Sequence, residues 1–438
     1  MKLLDDRRFR LGYAVVSLFT VLAGDALRYS VSWYGFGVIA VAITVTSVLL
    51  LVRDRGRWTI GGLPYPLLAF LGLATLSITW SYYSGATALG LLVTWMAVIV
   101  GLGIAIALDW ADVLRTLGWA LRAVLGLSIV FELVVSLFVR RPLLPFFAAP
   151  GIDYDSLDKI PQLLYWSRNL LLEGDKIQGI VGNSSLLGFV ALLGLIVFGI
   201  QLAARTVSRA SGITAVLLAA LTVYLTRSAT IVIAIAVLAA VVVAVLLVRL
   251  ARTSRARGLT YAGLLVVAVG GAIGAVVFRS TLLGLLGKSD TLTHRTGIWE
   301  AVINLAQQRP AFGWGWVSFW VPWVAPFDTL AFNSGVRQLH AHNAWLDLWL
   351  QVGIVGAVIF ALLVVTATVR SWLYATDRVI TGPRDPGRFS WQSLLPLLLL
   401  VALIVQSFAE SRLLIEYGIV LLVIAAVKTK RPEQGALR

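Results

Sequence analysis

Cysteine is absent from this chain of 438 residues, so disulfides, thiolate metal sites and cysteine nucleophiles are excluded together. Histidine is scarce, with 3 copies, and only 13% of the residues are charged. No GxxxxGK[ST] phosphate loop, Rossmann glycine pattern or HExxH motif occurs, so neither nucleotide chemistry nor zinc-protease chemistry has a sequence basis. There is no repeat at short period, and the Pro/Gly cluster TGPRDPGR reads as an ordinary loop rather than a domain linker. Any chemistry must come from His, Arg, Asp, Glu, Ser and Tyr.

What the chain has in excess is apolar surface. Hydrophobic residues make up 59% and the mean hydropathy is +0.90, which points to an all-α polytopic membrane protein. The opening MKLLDDRRFR leads into an apolar run without a small-residue cleavage site, so the first span is expected to stay attached. A helix crosses the hydrocarbon core with about 20 apolar residues. That rule gives about twelve spans, at roughly 9–27, 31–52, 63–83, 86–108, 118–139, 180–202, 212–227, 228–249, 259–279, 342–369, 391–409 and 412–427. They form one integral membrane domain, 1–438, with two long polar loops at 140–178 and 280–341 in which short helices are expected.

The net charge of +15 at first suggests nucleic acid. Its distribution excludes that. With the N-terminus inside, the cytoplasmic loops hold 23 of the 36 Lys and Arg but 8 of the 21 Asp and Glu, which accounts for the whole net charge. The charge is therefore a topology signal, with anionic membrane lipids as the partner and no nucleic acid. Both termini are expected to be cytoplasmic, in a multi-pass protein of the cytoplasmic (inner) membrane, with both long loops outside. The outer face has no ATP or nucleotide sugar, so an enzyme working there takes a substrate already activated, typically on a lipid.

All three histidines, His294, His340 and His342, fall in the second loop or at its end. Histidine titrates near neutral pH and is a common general base. Within THRTGIWEAVINLAQQRP, Ile298, Ala301, Val302 and Leu305 have the spacing of an amphipathic helix, with Arg295 near its start. An arginine there suits bidentate phosphate binding, and equally suits a surface contact with acidic lipid. Arg227, in YLTRSAT between two closely spaced spans, lies near the outer membrane boundary as a functional charge or a snorkelling one. In HAHNAWLD, His340 and His342 lead into a helix on which Asn343 and Asp347 share a face. A metal reading takes His340, His342, His294 and Asp290 as ligands, although no zinc spacing is matched. Asn183 in GIVGN offers a donor and an acceptor at the entry to the sixth span. Trp314, Trp316, Trp320 and Trp323 read as interface anchors in preference to sugar-stacking surfaces, and Glu132, Glu410, Arg412 and Glu416 are lesser candidates.

In this order, GIVGN with Asn183, LTRSA with Arg227, THRTGIWEAVINLAQQRPAFGWGW with Arg295, and HAHNAWLDLWLQVGIVG with His342 and Asn343 resemble the O-antigen ligase and O-antigen polymerase superfamily. That superfamily is a branch of the membrane glycosyltransferases with a GT-C-like fold. The resemblance covers roughly residues 178–360, and the remainder only through span count and topology. It implies transfer of a glycan from an undecaprenyl- or other polyprenyl-pyrophosphate carrier to a lipid- or glycan-borne acceptor hydroxyl on the outer face. The transfer would proceed with inversion and without metal or other cofactor. Carried over residue by residue, Arg227 and Arg295 would hold the pyrophosphate and His342 would be the base or orient the acceptor. Around them His340, Asn343, Asp347, Asn183, His294 and Trp299 form the candidate substrate-binding set. Two departures stand out: Ser184 and Ser185 replace a second asparagine found in many relatives, and His340 sits close enough to His342 to share its role. The ligase reading is preferred over a polymerase of lipid-linked repeat units; a lipid-linked glycan transporter is the alternative of another class.

Overall fold

The computed structural model describes residues 2–148, 152, 154–155, 158–278, 281, 295–333, 336–377 and 389–430. Each of the twelve apolar segments forms a helix. These are α1 (Arg7–Leu22), α2 (Gly24–Arg53), α3 (Tyr65–Leu76), α4 (Ser84–Ala107), α5 (Trp110–Val134), α6 (Ser184–Ala203), α7 (Arg209–Thr226), α8 (Ala229–Leu250) and α9 (Ser254–Val277). After the amphipathic α10 (Arg295–Ala306) come α11 (Ala344–Thr376), α12 (Leu394–Ser407) and α13 (Glu416–Lys430). Seven helices among the described residues are long and apolar enough to cross a membrane, and α3 and α12 are shorter apolar helices. The fold is that of an all-α polytopic membrane protein, and its one described sheet is a hairpin of two-residue strands, Phe332–Asn333 with Val336–Arg337.

Polar contacts sort the helix ends into two groups. At one end Arg10 binds Asp54, Arg7 binds Asp112, Arg249 donates to the Ala375 carbonyl, and Lys428 donates to the Leu108 carbonyl. These join the start of α1 to the end of α2, the start of α1 to that of α5, the end of α8 to that of α11, and the end of α13 to that of α4. An alternating, antiparallel chain requires those partners. Arg7, Arg10, Arg249 and Lys428, four of the basic residues expected on one side, are thus gathered at one end of the bundle, and the histidine segment lies at the other.

At the centre is α13, buried from Tyr417 to Lys428. Its sequence, YGIVLLVIAAV, is apolar on every face, as a helix enclosed by others must be. It packs against α1, α4, α11 and α12.

The expected span at 342–369 is not continuous. The structure breaks α11 at Gly353 (φ 67°, ψ −173°) and threads the glycine-rich turn after α10 through the gap. Trp314 and Gly315 donate to the Leu350 and Gln351 carbonyls, while Ile354 and Val355 donate to the Pro310 and Ala311 carbonyls. Four backbone groups beside the break are thereby satisfied within the protein, as a broken helix at membrane depth requires. Only glycine fits at 353, because a Cβ there would collide with the Ala311 carbonyl.

The second loop has its own small core. Ile298, Val302 and Ala306, one face of α10, bury against Val317, Trp320, Phe327, Ala341 and Leu350. The expectation that the tryptophans anchor at the interface is corrected for two of them: Trp316 and Trp320 are fully buried, while Trp323 is exposed. Their large apolar rings seat the loop on the bundle, with the Trp316 indole donating to Thr94 Oγ1 at 2.9 Å. Glu132 is also structural. Its buried carboxylate accepts from the backbone N–H of Gln178 and Gly179 at 2.9 and 2.7 Å and from the Ser167 hydroxyl at 2.8 Å, pinning the first loop to α5.

Candidate active site

The segment 338–343 is held from both sides before any side chain of chemical interest is placed. The Ala341 N–H donates to Asp347 Oδ2 at 3.0 Å, and the Ala341 carbonyl accepts from the Trp299 indole at 3.0 Å. Asp347 lies in the first turn of α11 and is fully buried; the Ser411 hydroxyl also donates to its Oδ2. Among the described residues neither its Oδ1 nor the indole N–H of Trp320 meets a partner at ordinary hydrogen-bond geometry, and the two side chains lie close enough to interact. Asn343 caps α11, its Oδ1 accepting from the N–H of Trp345 and Leu346 at 3.0 and 3.3 Å. Between these anchors His342 adopts a left-handed conformation, φ 51°. A non-glycine residue there costs about 1–2 kcal/mol, a strain that persists only where the surroundings impose it.

That turn aims the imidazole at Glu410, between α12 and α13. His342 Nδ1 lies 3.0 Å from Glu410 Oε2, and His342 Nε2 lies 3.1 Å from Gln338 Oε1. The other carboxylate oxygen, Oε1, accepts from Arg295 Nη2 at 3.1 Å, so one carboxylate joins the imidazole to the guanidinium. Arg295 is the first residue of α10, as the sequence pattern placed it. Its side chain is partly exposed, with 23% open. The His340 ring lies 4.1 Å from that of His342, and its Nδ1 accepts the His342 backbone N–H at 3.1 Å.

Burial by itself would raise the Glu410 carboxyl. The adjacent His342, by charge and hydrogen bond, and then His340 and Arg295 outweigh it and hold the group at about 2, so Glu410 is ionised. Burial, reinforced by His342, pushes the His340 imidazole well below its ordinary value, which suits a ring whose Nδ1 serves as an acceptor. Just beyond, Arg412 is paired with Glu416, which also binds Arg28, and Arg28 binds Asp25 at 2.5 Å.

The donor atoms of His340, His342 and Glu410 lie within 4.8 Å of one another, a spacing compatible with a metal ion. The donors are already engaged, however. Glu410 is shared between an imidazole and a guanidinium, His340 Nδ1 holds an amide, and Arg295 would repel a cation at the same carboxylate. This donor set fits an acid–base and anion site better than a metal site. His294 and Asp290, the other ligands considered, lie outside the described residues.

Residues 213–361 match the family profile described as O-antigen ligase. Over that stretch, about a third of its length, the chain is similar to the O-antigen ligase family. A 141-residue stretch is 28% identical to the exopolysaccharide production protein ExoQ of Rhizobium meliloti (strain 1021), spanning 32% of this chain and 30% of that protein's length.

The superfamily match takes in Arg227, Arg295, His340, His342, Asn343 and Asp347, and leaves out Asn183 and Glu410. The fold brings Arg295, Trp299, His340, His342, Asn343 and Asp347 into one connected network with Glu410 and Gln338. Asn183 and Arg227 are not joined to it by a hydrogen bond or ion pair among the described residues. Asn183 caps α6, its Oδ1 accepting from Ser185 and Leu186 N–H at 2.9 and 3.1 Å. Arg227 ends α7 in a left-handed conformation, φ 46°, with an exposed side chain that makes no hydrogen bond or ion pair among the described residues. The expected substrate-binding role of Asp347 finds no support in its position, since its carboxylate faces the protein interior. Gln338 carried no signal beyond standing four residues before His342, and Glu410 stood out only as a carboxylate at the mouth of the last hairpin.

Proposed function

We propose that this protein transfers a glycan from a polyprenyl-pyrophosphate carrier to an acceptor hydroxyl on the outer face of the cytoplasmic membrane, as a ligase of the O-antigen type. The observation that carries this reading is the Glu410 carboxylate shared by His342 and Arg295. It orients an imidazole to take a hydroxyl proton and places a planar cation, suited to phosphate, beside it. A pyrophosphate is already a good leaving group, so one base and stabilisation of the departing charge are sufficient. His342 is the base, Glu410 its positioning residue, and Arg295 and the exposed Arg227 are the pyrophosphate donors. The transfer inverts the anomeric centre, and it uses neither metal nor other cofactor. With the basic end of the bundle cytoplasmic, both termini lie inside and the site faces out.

The similarity to an exopolysaccharide production protein favours a second reading within the same chemistry: polymerisation of lipid-linked repeat units. Transport, which the broken helix α11 brings to mind, is disfavoured because the chain's own backbone fills the break.

The test is the size distribution of the lipid-linked glycan pool in cells lacking the protein and in cells carrying His342→Ala. Long polymers stranded on the carrier support the ligase, and single repeat units the polymerase. An unchanged pool in both strains would refute glycosyl transfer.

A further inference from the structure

Gln338 covers the Nε2 edge of His342, and the transfer chemistry above gives it no task. It follows the short hairpin, is buried, and its backbone N–H donates to the Ala331 carbonyl at 2.9 Å. Its side-chain Nε2 donates to the Val336 carbonyl at 2.9 Å, while Oε1 lies 3.1 Å from His342 Nε2. A backbone carbonyl only accepts, so the bond to Val336 fixes which end of the amide meets the imidazole, and that end is the oxygen. An amide oxygen also only accepts, as does the Glu410 carboxylate at Nδ1. Both ring nitrogens must therefore donate, and His342 has no lone pair open to a substrate.

The charged and titratable groups around the ring come from several elements. Glu410 faces it from the loop after α12 and Asp347 acts from α11, against His340 on its own segment, Arg295 at the start of α10, and Arg412 beyond Glu410.

Building on the transfer reading, we propose that Gln338 is a positioning residue of the reaction: its amide oxygen occupies the place on His342 Nε2 that the acceptor hydroxyl must take. The base is uncovered only when an acceptor displaces the amide. The Nε2 proton then leaves to water. Nε2 next takes the hydroxyl proton as the hydroxyl oxygen bonds to the anomeric carbon. The bond from that carbon to the pyrophosphate oxygen breaks, and its electron pair stays on the pyrophosphate. Until an acceptor arrives, water meets no base at His342, and the lipid-linked donor is spared hydrolysis.

The experiment uses the full chain in detergent with lipid-linked glycans extracted from cells that lack the protein, with and without acceptor, and reads the ratio of hydrolysed to transferred glycan. Gln338→Met, similar in length but without an acceptor oxygen, should raise that ratio about tenfold. An unchanged ratio in Gln338→Met overturns the proposal. Nitrogen-15 spectra of histidine-labelled protein at neutral pH, without substrates, give a readout independent of turnover. Both His342 ring nitrogens should be protonated in the wild type and Nε2 should lose its proton in Gln338→Met; an unprotonated wild-type Nε2 also overturns it. Wild-type protein that neither transfers nor hydrolyses would count against the transfer reading, while the spectra still decide the hold of Gln338 on His342.

Discussion

His342 Nδ1 lies 3.0 Å from Glu410 Oε2 although 68 residues separate the two in sequence, and the opposite oxygen of that carboxylate accepts from Arg295. A single carboxylate therefore sets the orientation of the proposed base and of one proposed phosphate ligand. Its removal should be felt by both.

Glu410→Gln keeps the shape and removes the charge. Transfer should fall about 100-fold, because an amide neither fixes the Nδ1–H tautomer of His342 nor compensates a proton on it. The pH dependence of stability should change as well. The Glu410 carboxyl is held at about 2 against an ordinary 4.5, so its stabilisation is complete above about 4.5 and is lost as pH falls towards 2. Melting of the detergent-solubilised protein from pH 6 to pH 3 should show a steeper loss of stability in wild type than in Glu410→Gln. Equal slopes would mean that the carboxylate is not held by its partners.

Asp347→Ala strips the Ala341 N–H and the Ser411 hydroxyl of their acceptor in a buried place. A buried donor left unpaired costs about 1–3 kcal/mol. Asp347→Asn, which retains an oxygen for Ala341, should be milder in thermal unfolding. If the carboxylate's role is to hold the His342 turn, the loss of transfer in the two variants should follow their loss of stability; a fully stable Asp347→Asn without activity would point to a direct role in the reaction.

Glu132→Leu leaves the N–H groups of Gln178 and Gly179 and the Ser167 hydroxyl without their shared acceptor. The first loop should come away from α5, and trypsin should cut at Arg168 or Lys176 much faster than in wild type. Loss of transfer with an unchanged cleavage rate would instead assign Glu132 a role in the chemistry.

Arg227→Ala removes an exposed side chain with no ion pair among the described residues, so melting should stay within about 0.5 kcal/mol of wild type. Transfer should nevertheless collapse, because a pyrophosphate ligand is lost. Arg227→Lys should restore only part of it, since a point charge does not reproduce the planar fork. Full activity in Arg227→Ala would leave Arg295 as the proposed pyrophosphate ligand.

The helices were legible because the signal for each is local. A run of about 20 apolar residues has one inexpensive structure in a bilayer, and the twelve helices stand where the runs stand. The amphipathic face of α10 and the place of Arg295 at its start were equally open to reading, since a period of 3.6 residues is written within a single segment. The break in α11 was not. Gly353 is one glycine among 39, and its conformation depends on the turn from Pro310 to Gly315 donating and accepting backbone hydrogen bonds inside the gap. The buried tryptophans were misread for a related reason: composition cannot tell a ring at the membrane interface from one packed beneath a loop.

The sequence by itself determined the class of the protein and the places of its apolar helices, and it singled out His342 and Arg295 as candidates. Each of these follows from hydropathy, periodicity or residue scarcity along the chain. Tertiary structure alone decided that Glu410 unites those two residues, that Gln338 covers the remaining edge of the imidazole, that Asp347 and Trp299 clamp the turn between them, and that Asn183 and Asn343 cap helices. Hydrogen bonds of about 3 Å between residues far apart in sequence leave no trace in local pattern, because their partners become neighbours only when the helices pack.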